Sequence, residues 1–206
     1  MLSEKEFNEL KEIYSKILKV NTFENKFKEI KTIAALDAVF SDKGVFCVAA
    51  VFNYETLELI EKKELSTKEI IHYSPRWIAF REGAPMIEVY KLLETKPDVI
   101  LISKQGAINP KKVSTPSYVG ILINKPTIGV SKDLIEGKLE ENKIIFKTEQ
   151  KGFAIQTKEY SRPIYISPGF GISLEKCKEI VEHCTKEYKM PLPIHLTHKF
   201  ANKIKK

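Results

Sequence analysis

Asp37 interrupts the apolar run TIAALDAVF, between Leu36 and Ala38. A carboxylate buried without a partner is costly, so Asp37 requires a metal ion, a base or a hydrogen-bonding loop. The plainer alternative is a satisfied structural aspartate near a strand end. In YSPRWIAFREG, Arg81 and Glu82 precede Gly83 at a predicted helix entrance. An acid there either reaches across the ends of a sheet or caps the helix, since acids favour helix N-termini. Lys132, in TIGVSKD, follows a predicted strand directly; it holds a phosphate as a point charge or is a solvated lysine. His195 and His198, in IHLTH, are three apart and share a helix face. They suit metal binding or proton transfer, or are ordinary surface histidines. DVILISKQGAINP, from Asp98 to Pro110, places Ser103 and Lys104 at the carboxyl end of another strand, where ligands and catalytic groups gather in open α/β sheets. Carboxylates converging on Mg²⁺, with a lysine and a histidine beside them, make a phosphodiesterase constellation.

The elements that must bring these residues together are legible from periodicity. Ser3 and Glu6 have capping-box spacing, and Leu10, Ile13, Tyr14, Ile17 and Leu18 repeat at helical spacing. A second short helical stretch is expected to carry Phe23, Phe27 and Ile30, so residues 1–30 read as a helical extension. TIAALDAVF, GVFCVAAVFNY and TLELIEKKEL then form three strands with short connections, an antiparallel meander. GAPMIEVYKLLE is a predicted helix, DVILI a fourth strand, PSYVGILIN a short helix and TIGV a fifth strand. Alternation of strand and helix implies parallel pairing through right-handed crossovers. KIIFKT and GFAIQT read as a hairpin turning at Glu149–Lys151, and PIYIS as another strand. SLEKCKEIVEHCTKEY is a helix capped by Ser173, and a basic helix runs from about Leu196 to Lys206. The expected fold class is α/β: one domain over residues 1–206, with a mixed sheet of three antiparallel strands plus parallel strands, flanked by helices.

The chain has 206 residues, 34 Lys and Arg against 27 acids, and a net charge of +7. That balance favours an anionic partner such as nucleic acid. Cys177 and Cys184 lie seven apart on a predicted helix, too far for a disulfide, and the three cysteines read as core filler in a reducing cytoplasm. The acidic, amphipathic start does not read as a signal peptide, and no apolar run approaches a membrane span. The tail KFANKIKK either contacts phosphates or is a solubilising helix end.

Several segments, in order, carry a resemblance: ALDAVFSDKG, YSPRWIAFREG, LLETKPDVILISKQGAINP, YVGILINKPTIGVSK, IYISPGFGIS and PLPIHLTHKFANK. From Thr32 onward the sequence resembles the endonuclease V family, whose fold is ribonuclease H-like. The resemblance implies Mg²⁺-dependent hydrolysis, with Mn²⁺ as an alternative ion, of the phosphodiester 3′ to deaminated purines such as inosine in DNA or RNA. By position it implies Asp37 and Glu82 as metal carboxylates, and Lys132 and His198 beside them as catalytic groups. It implies Tyr73, in YSP, as an aromatic wedge for the gap left by an extruded base. The nucleic-acid-binding set expected on this reading is Tyr73, Pro75, Lys104, Gly106, Lys111, Lys112 and Lys132, in a cytoplasmic monomer.

The sequence also departs from that family. Ser103-Lys104 stands where the family has Asp-Gly, and serine is a far weaker Mg²⁺ ligand than a carboxylate. Asn109, Tyr118 and Phe170 stand where relatives often carry histidine, and Arg76 where they have glycine. Asp98 cannot substitute: it lies roughly 16 Å away along the strand, at the wrong end. Asp133 is a remote alternative. Lys104 either takes the metal's place and pairs with Asp37 or Glu82, or points to solvent. The expectation is an endonuclease V-like protein with weakened cleavage; the alternative is a non-catalytic paralogue that binds modified bases. Whether the chain is an enzyme stays open at this point.

Overall fold

The computed structural model describes residues 8–9, 12–13, 15–17, 23–68 and 77–205. The expected capping box at Ser3 and Glu6, and Tyr73, Pro75 and Arg76, lie outside the described residues.

Apolar runs form β1 (Thr32–Ser41) and β2 (Gly44–Asn53), and the charged, alternating edge strand β3 (Leu59–Thr67) follows them. They pair antiparallel in sequence order, as the short turns require. Helix α1 (Ile78–Lys91) then returns the chain to β4 (Val99–Ile102), and α2 (Thr115–Ile123) leads to β5 (Thr127–Ser131). β4 lies parallel to both β1 and β5. The three short strands β6 (Lys138–Glu140), β7 (Lys143–Phe146) and β8 (Glu149–Ile155) precede β9 (Ile164–Phe170), and the chain continues through α3 (Leu174–Cys184) and α4 (Leu192–Ile204). The sheet order is β3-β2-β1-β4-β5-β9-β8-β7-β6. This is the mixed α/β architecture expected, with one more strand, β6, than the pattern revealed.

Strand alternation divides the interior into two cores. Ala34, Leu36 and Ala38 face α1 and α2, beside Phe80, Met86 and Tyr118. Ile33 and Ala35 face the other side, with Ile180 of α3 and Ile194 of α4. Asp37 continues the second series, toward the face that α4 covers. All three cysteines are buried free thiols; burial pushes Cys47 up to about 12, with the Asp37 charge adding to it.

Five boundaries differ from expectation. Gly83 and Pro85 read as punctuation at a helix start, yet α1 begins at Ile78 and runs through both, so Glu82 lies inside the helix. Gly83 is needed there because a Cβ would lie 2.4 Å from the Tyr118 ring. Residues 23–31 are not helical: Lys26 N–H donates to Gly171 O at 3.0 Å and Asn25 Oδ1 accepts from Ser173 N–H at 2.9 Å, so this segment bonds outward to the β9–α3 turn. The β7–β8 turn is at Lys147 and Thr148, with Lys147 at φ +58°, while Glu149–Lys151 belong to β8. α3 stops at Cys184, and α4 begins four residues before Leu196, since proline is tolerated in a first turn.

Two acids tie the scaffold at the end remote from Ser103. Asp98 Oδ2 accepts the N–H groups of Lys31 and Thr32, each at 2.9 Å, which fixes β4 against the start of β1. Glu61 accepts the N–H groups of Glu94 at 3.0 Å and Thr95 at 2.8 Å. Burial raises the Glu61 carboxyl, but these backbone donors, with Lys63, outweigh it and bring it down to about 2. A depressed folded value means the stabilisation is present above the ordinary value of 4.5 and is lost as pH falls toward 2. Glu61→Gln is expected to unfold in urea about 1 kcal/mol more easily at neutral pH. That difference should shrink as the pH of the titration is lowered through this window.

Candidate functional site beside the end of β4

Leu36 pairs with Ile102 in the parallel β1–β4 register, so Asp37 and Ser103 are the next residues along adjacent strands. β5 runs parallel to β4, which brings Lys132, the residue after Ser131, to the same edge. The sheet therefore gathers Asp37, Ser103, Lys104 and Lys132 as the sequence implied.

Asp37 is 6% exposed, and its Oδ2 accepts from His198 Nδ1 at 2.6 Å. His198 projects from α4, half exposed, with Asn202 Nδ2 at 3.0 Å from its Nε2. The hydrogen bond to Asp37 raises His198 above the usual histidine value, against burial and the nearby charges of Lys132 and Lys104. His195 moves the other way, lowered by burial and then by Lys199, His198 and Lys132. It stacks flat on Tyr188, with ring centroids 3.8 Å apart. A raised folded value stabilises the protein fully below pH 6.5, and the gain is lost as pH rises through the folded value. In a histidine-resolved NMR titration, His198 is expected to titrate above 6.5 and His195 below it. Asp37→Asn should bring His198 down; an unchanged midpoint would show that the carboxylate does not act on it.

Glu82 approaches from α1, on the opposite face of the sheet, and is 5% exposed. Its two oxygens are both engaged: Oε1 accepts from Lys104 Nζ at 2.7 Å and Oε2 from Thr115 Oγ1 at 3.2 Å. Lys104 thus pairs with Glu82, one of the two arrangements open at the outset. The loop that carries it is fastened at several points. Lys104 N–H turns back to Ile102 O at 2.7 Å. Gln105 Oε1 accepts Glu136 N–H at 2.8 Å while its Nε2 donates to Glu136 O at 3.2 Å. Gly106 N–H donates to Ser167 Oγ at 2.8 Å.

Beside this loop opens a cleft of about 770 Å³, lined by Glu82, Lys104, Gln105, Gly106, Asn109, Lys111, Lys112, Thr115 and Glu136, among others. Lys112 pairs with Glu136, whose other oxygen lies 3.4 Å from Asn109 Nδ2. Gly106, Lys111 and Lys112 therefore share one wall with Lys104, whereas Lys132 and His198 sit near Asp37. Asp133 is exposed, its N–H bonded to Ser131 Oγ at 3.2 Å. Tyr118 is buried against Phe80 at 4.7 Å and Phe170 is buried under Lys26; both are core residues. Gln105, Thr115, Glu136 and Asn202 were not anticipated. Gln105 and Glu136 meet across 31 residues and Thr115 meets Glu82 across 33, which no local spacing announces, whereas Asn202 meets His198 at helical i,i+4 spacing.

A sheet ordered β3-β2-β1-β4-β5, antiparallel then parallel, with Asp37 within its first strand beside the end of β4 and Glu82 on the following helix, is the mixed α/β arrangement expected of the ribonuclease H-like class. The endonuclease V family profile matches residues 11–199. The chain is 32% identical over 180 residues to endonuclease V of Thermofilum pendens, covering 84% of this chain and 78% of that one. It superposes on the endonuclease V structure from Bacillus subtilis with a TM-score of 0.85 at 25% identity, over 100% of this chain and 93% of that one. The Ciona intestinalis endonuclease V, crystallised with a 23mer DNA containing an inosine followed by a ribo-adenosine, shares the fold at TM-score 0.85 and 22% identity, over 98% of each chain. The chain belongs to the endonuclease V family. Among the described residues no helix is long and apolar enough to cross a membrane.

The divalent ion implied by the family does not fit the donors present. Mg²⁺ takes about six oxygens, chiefly from carboxylates and water. Here Asp37 is hydrogen-bonded to His198, both Glu82 oxygens are occupied, and the third position offers only the Ser103 hydroxyl. Among the described residues no group of three or more His, Cys, Asp or Glu could hold a metal ion.

Proposed function

We propose that this chain binds DNA or RNA carrying a deaminated purine along the cleft beside the loop that follows β4. We further propose that it hydrolyses the phosphodiester 3′ to that base weakly or not at all. Family membership, the net charge of +7 and the lysines of the cleft wall support a nucleic-acid partner. The observation that carries the weakened chemistry is the Lys104 ammonium on Glu82, in a site where Ser103 supplies no carboxylate. On this reading Lys132 and Lys104 hold phosphate, and Asp37 orients His198 through its Nδ1.

The test pairs binding with cleavage. Labelled inosine-containing and unmodified DNA and RNA strands are titrated by anisotropy across a salt series, then incubated with Mg²⁺ or Mn²⁺ beside the Bacillus subtilis protein. The expected result is binding that weakens with salt and cleavage at least about 10²-fold slower than the relative. Cleavage at the relative's rate, abolished by Asp37→Ala, would establish a fully active nuclease instead. No binding to any strand would remove the nucleic-acid reading.

A further inference from the structure

A site that attracts a divalent cation needs carboxylates that are not already paired, and the two buried acids here are both engaged. Asp37 is bonded to His198 and Glu82 to Lys104, while Lys132 stands at the same edge beside the exposed Asp133. A buried carboxylate needs a fixed counter-charge. For Glu82 the chain provides it internally, from the residue that follows Ser103.

Lys104 has capacity beyond that pairing. An ammonium carries three N–H donors, of which one is directed at Glu82 Oε1. Its side chain is 36% exposed and lines the cleft, so the group is held at its base by Glu82 and open toward the solvent side. The loop beneath is clamped to Glu136 and Ser167, which holds the ammonium in place with little conformational freedom left to lose on binding. Lys132 stands exposed at the same edge, near His198.

We infer that the end of β4, beside Asp37 in the middle of β1, forms a metal-independent site for a backbone phosphodiester, with Lys104 as the built-in cation where relatives would bind a divalent ion. This rests on the nucleic-acid reading above. It assigns the ligand class of the edge as an oxyanion and makes Lys104, rather than a metal ligand set, the residue that determines it. Glu82 becomes the positioning residue for that ammonium.

The experiment measures oligonucleotide affinity and metal uptake separately. Affinity for a labelled inosine-containing single strand is read by anisotropy in excess EDTA and in excess Mg²⁺; it should be no tighter in Mg²⁺ than in EDTA, since the ion competes with the ammonium groups for phosphate. Lys104→Met/Glu82→Gln removes both charges and so avoids stranding a buried carboxylate. It should weaken binding in EDTA by about tenfold and flatten the salt dependence by roughly one phosphate contact. Lys104→Arg should retain affinity. Mn²⁺ uptake, followed by loss of the free-ion paramagnetic resonance signal, should be absent in the unaltered protein and present in Ser103→Asp/Lys104→Gly.

Tight Mn²⁺ uptake by the unaltered protein, or affinity that rises at least about tenfold on adding Mg²⁺, overturns the inference while leaving nucleic-acid binding intact. Unchanged affinity and salt dependence in a folded Lys104→Met/Glu82→Gln variant overturns it as well. Failure of the unaltered protein to bind any strand removes this inference together with the reading beneath it.

Discussion

Ser103→Asp/Lys104→Gly is expected to cleave an inosine-containing strand in Mg²⁺ at least about 10²-fold faster than the unaltered protein. Two changes act together. Position 103 lies next to Asp37 across the β1–β4 register, so an aspartate there adds a carboxylate beside the existing one. Removing Lys104 frees Glu82 Oε1, which now accepts the ammonium at 2.7 Å. A gain of 10²-fold corresponds to roughly 3 kcal/mol of transition-state stabilisation at about 1.4 kcal/mol per tenfold, within reach of one added carboxylate ligand. The same variant should be less stable than the unaltered protein in EDTA, because like charges then face each other without a counter-ion. It should regain stability on adding Mg²⁺, by preferential binding to the folded state. Cleavage is read on denaturing gels and stability by thermal unfolding; Asp37→Ala placed in the double variant should abolish the gain. A double variant that takes up metal yet cleaves no faster would show that Ser103 and Lys104 do not limit the chemistry.

The path from residues to this site was partly visible beforehand. Asp37 stood out because it breaks an apolar strand, and alternation along β1 sends it to the face covered by α4, where His198 meets it. The pairing of Lys104 with an acid was one of the readings the sequence left open beside a solvent-facing lysine, and the fold selects it. The choice of Glu82 over Asp37 was not legible, since it depends on α1 beginning at Ile78 and carrying Glu82 on its second turn. Gly83 and Pro85 concealed that start: local propensity marks them as breakers, while tertiary packing of Tyr118 against Gly83 overrides it. The extra strand β6 was missed for a related reason. It is three residues long, fully exposed, and defined by its partner β7 rather than by any hydrophobic period. The clamp between Gln105 and Glu136 spans 31 residues and joins two loops, so only the folded sheet brings its ends together.

Gly129→Ala should be the most damaging single methyl that can be added near the site. A Cβ at this position would lie 2.3 Å from Gly106 N, 2.6 Å from Lys104 O and 2.7 Å from Gly106 Cα. These are backbone atoms, so no side-chain rotamer can relieve the overlap. Nor can either strand retreat easily: β5 is held between β4 and β9, and the loop is tied to Ser167, Pro168 and Glu136. Overpacking of this kind costs about 1–3 kcal/mol even where side chains can adjust, and the upper end applies here. For a chain of this size that lowers the thermal midpoint by roughly 6–12 °C. The same displacement would carry Lys104 away from Glu82, so oligonucleotide affinity should fall with stability. Gly171→Ala provides the contrast: its Cβ would meet only the flexible Lys26 side chain, at 3.1 Å, and its cost arises from φ +63° rather than from the site loop. That variant should lose some stability but keep its affinity for the strand. If Gly129→Ala instead melts with the unaltered protein and binds as well, the loop is not seated on β5 in solution. The rigid placement of Lys104, on which its capture of a phosphate depends, would then have no structural basis.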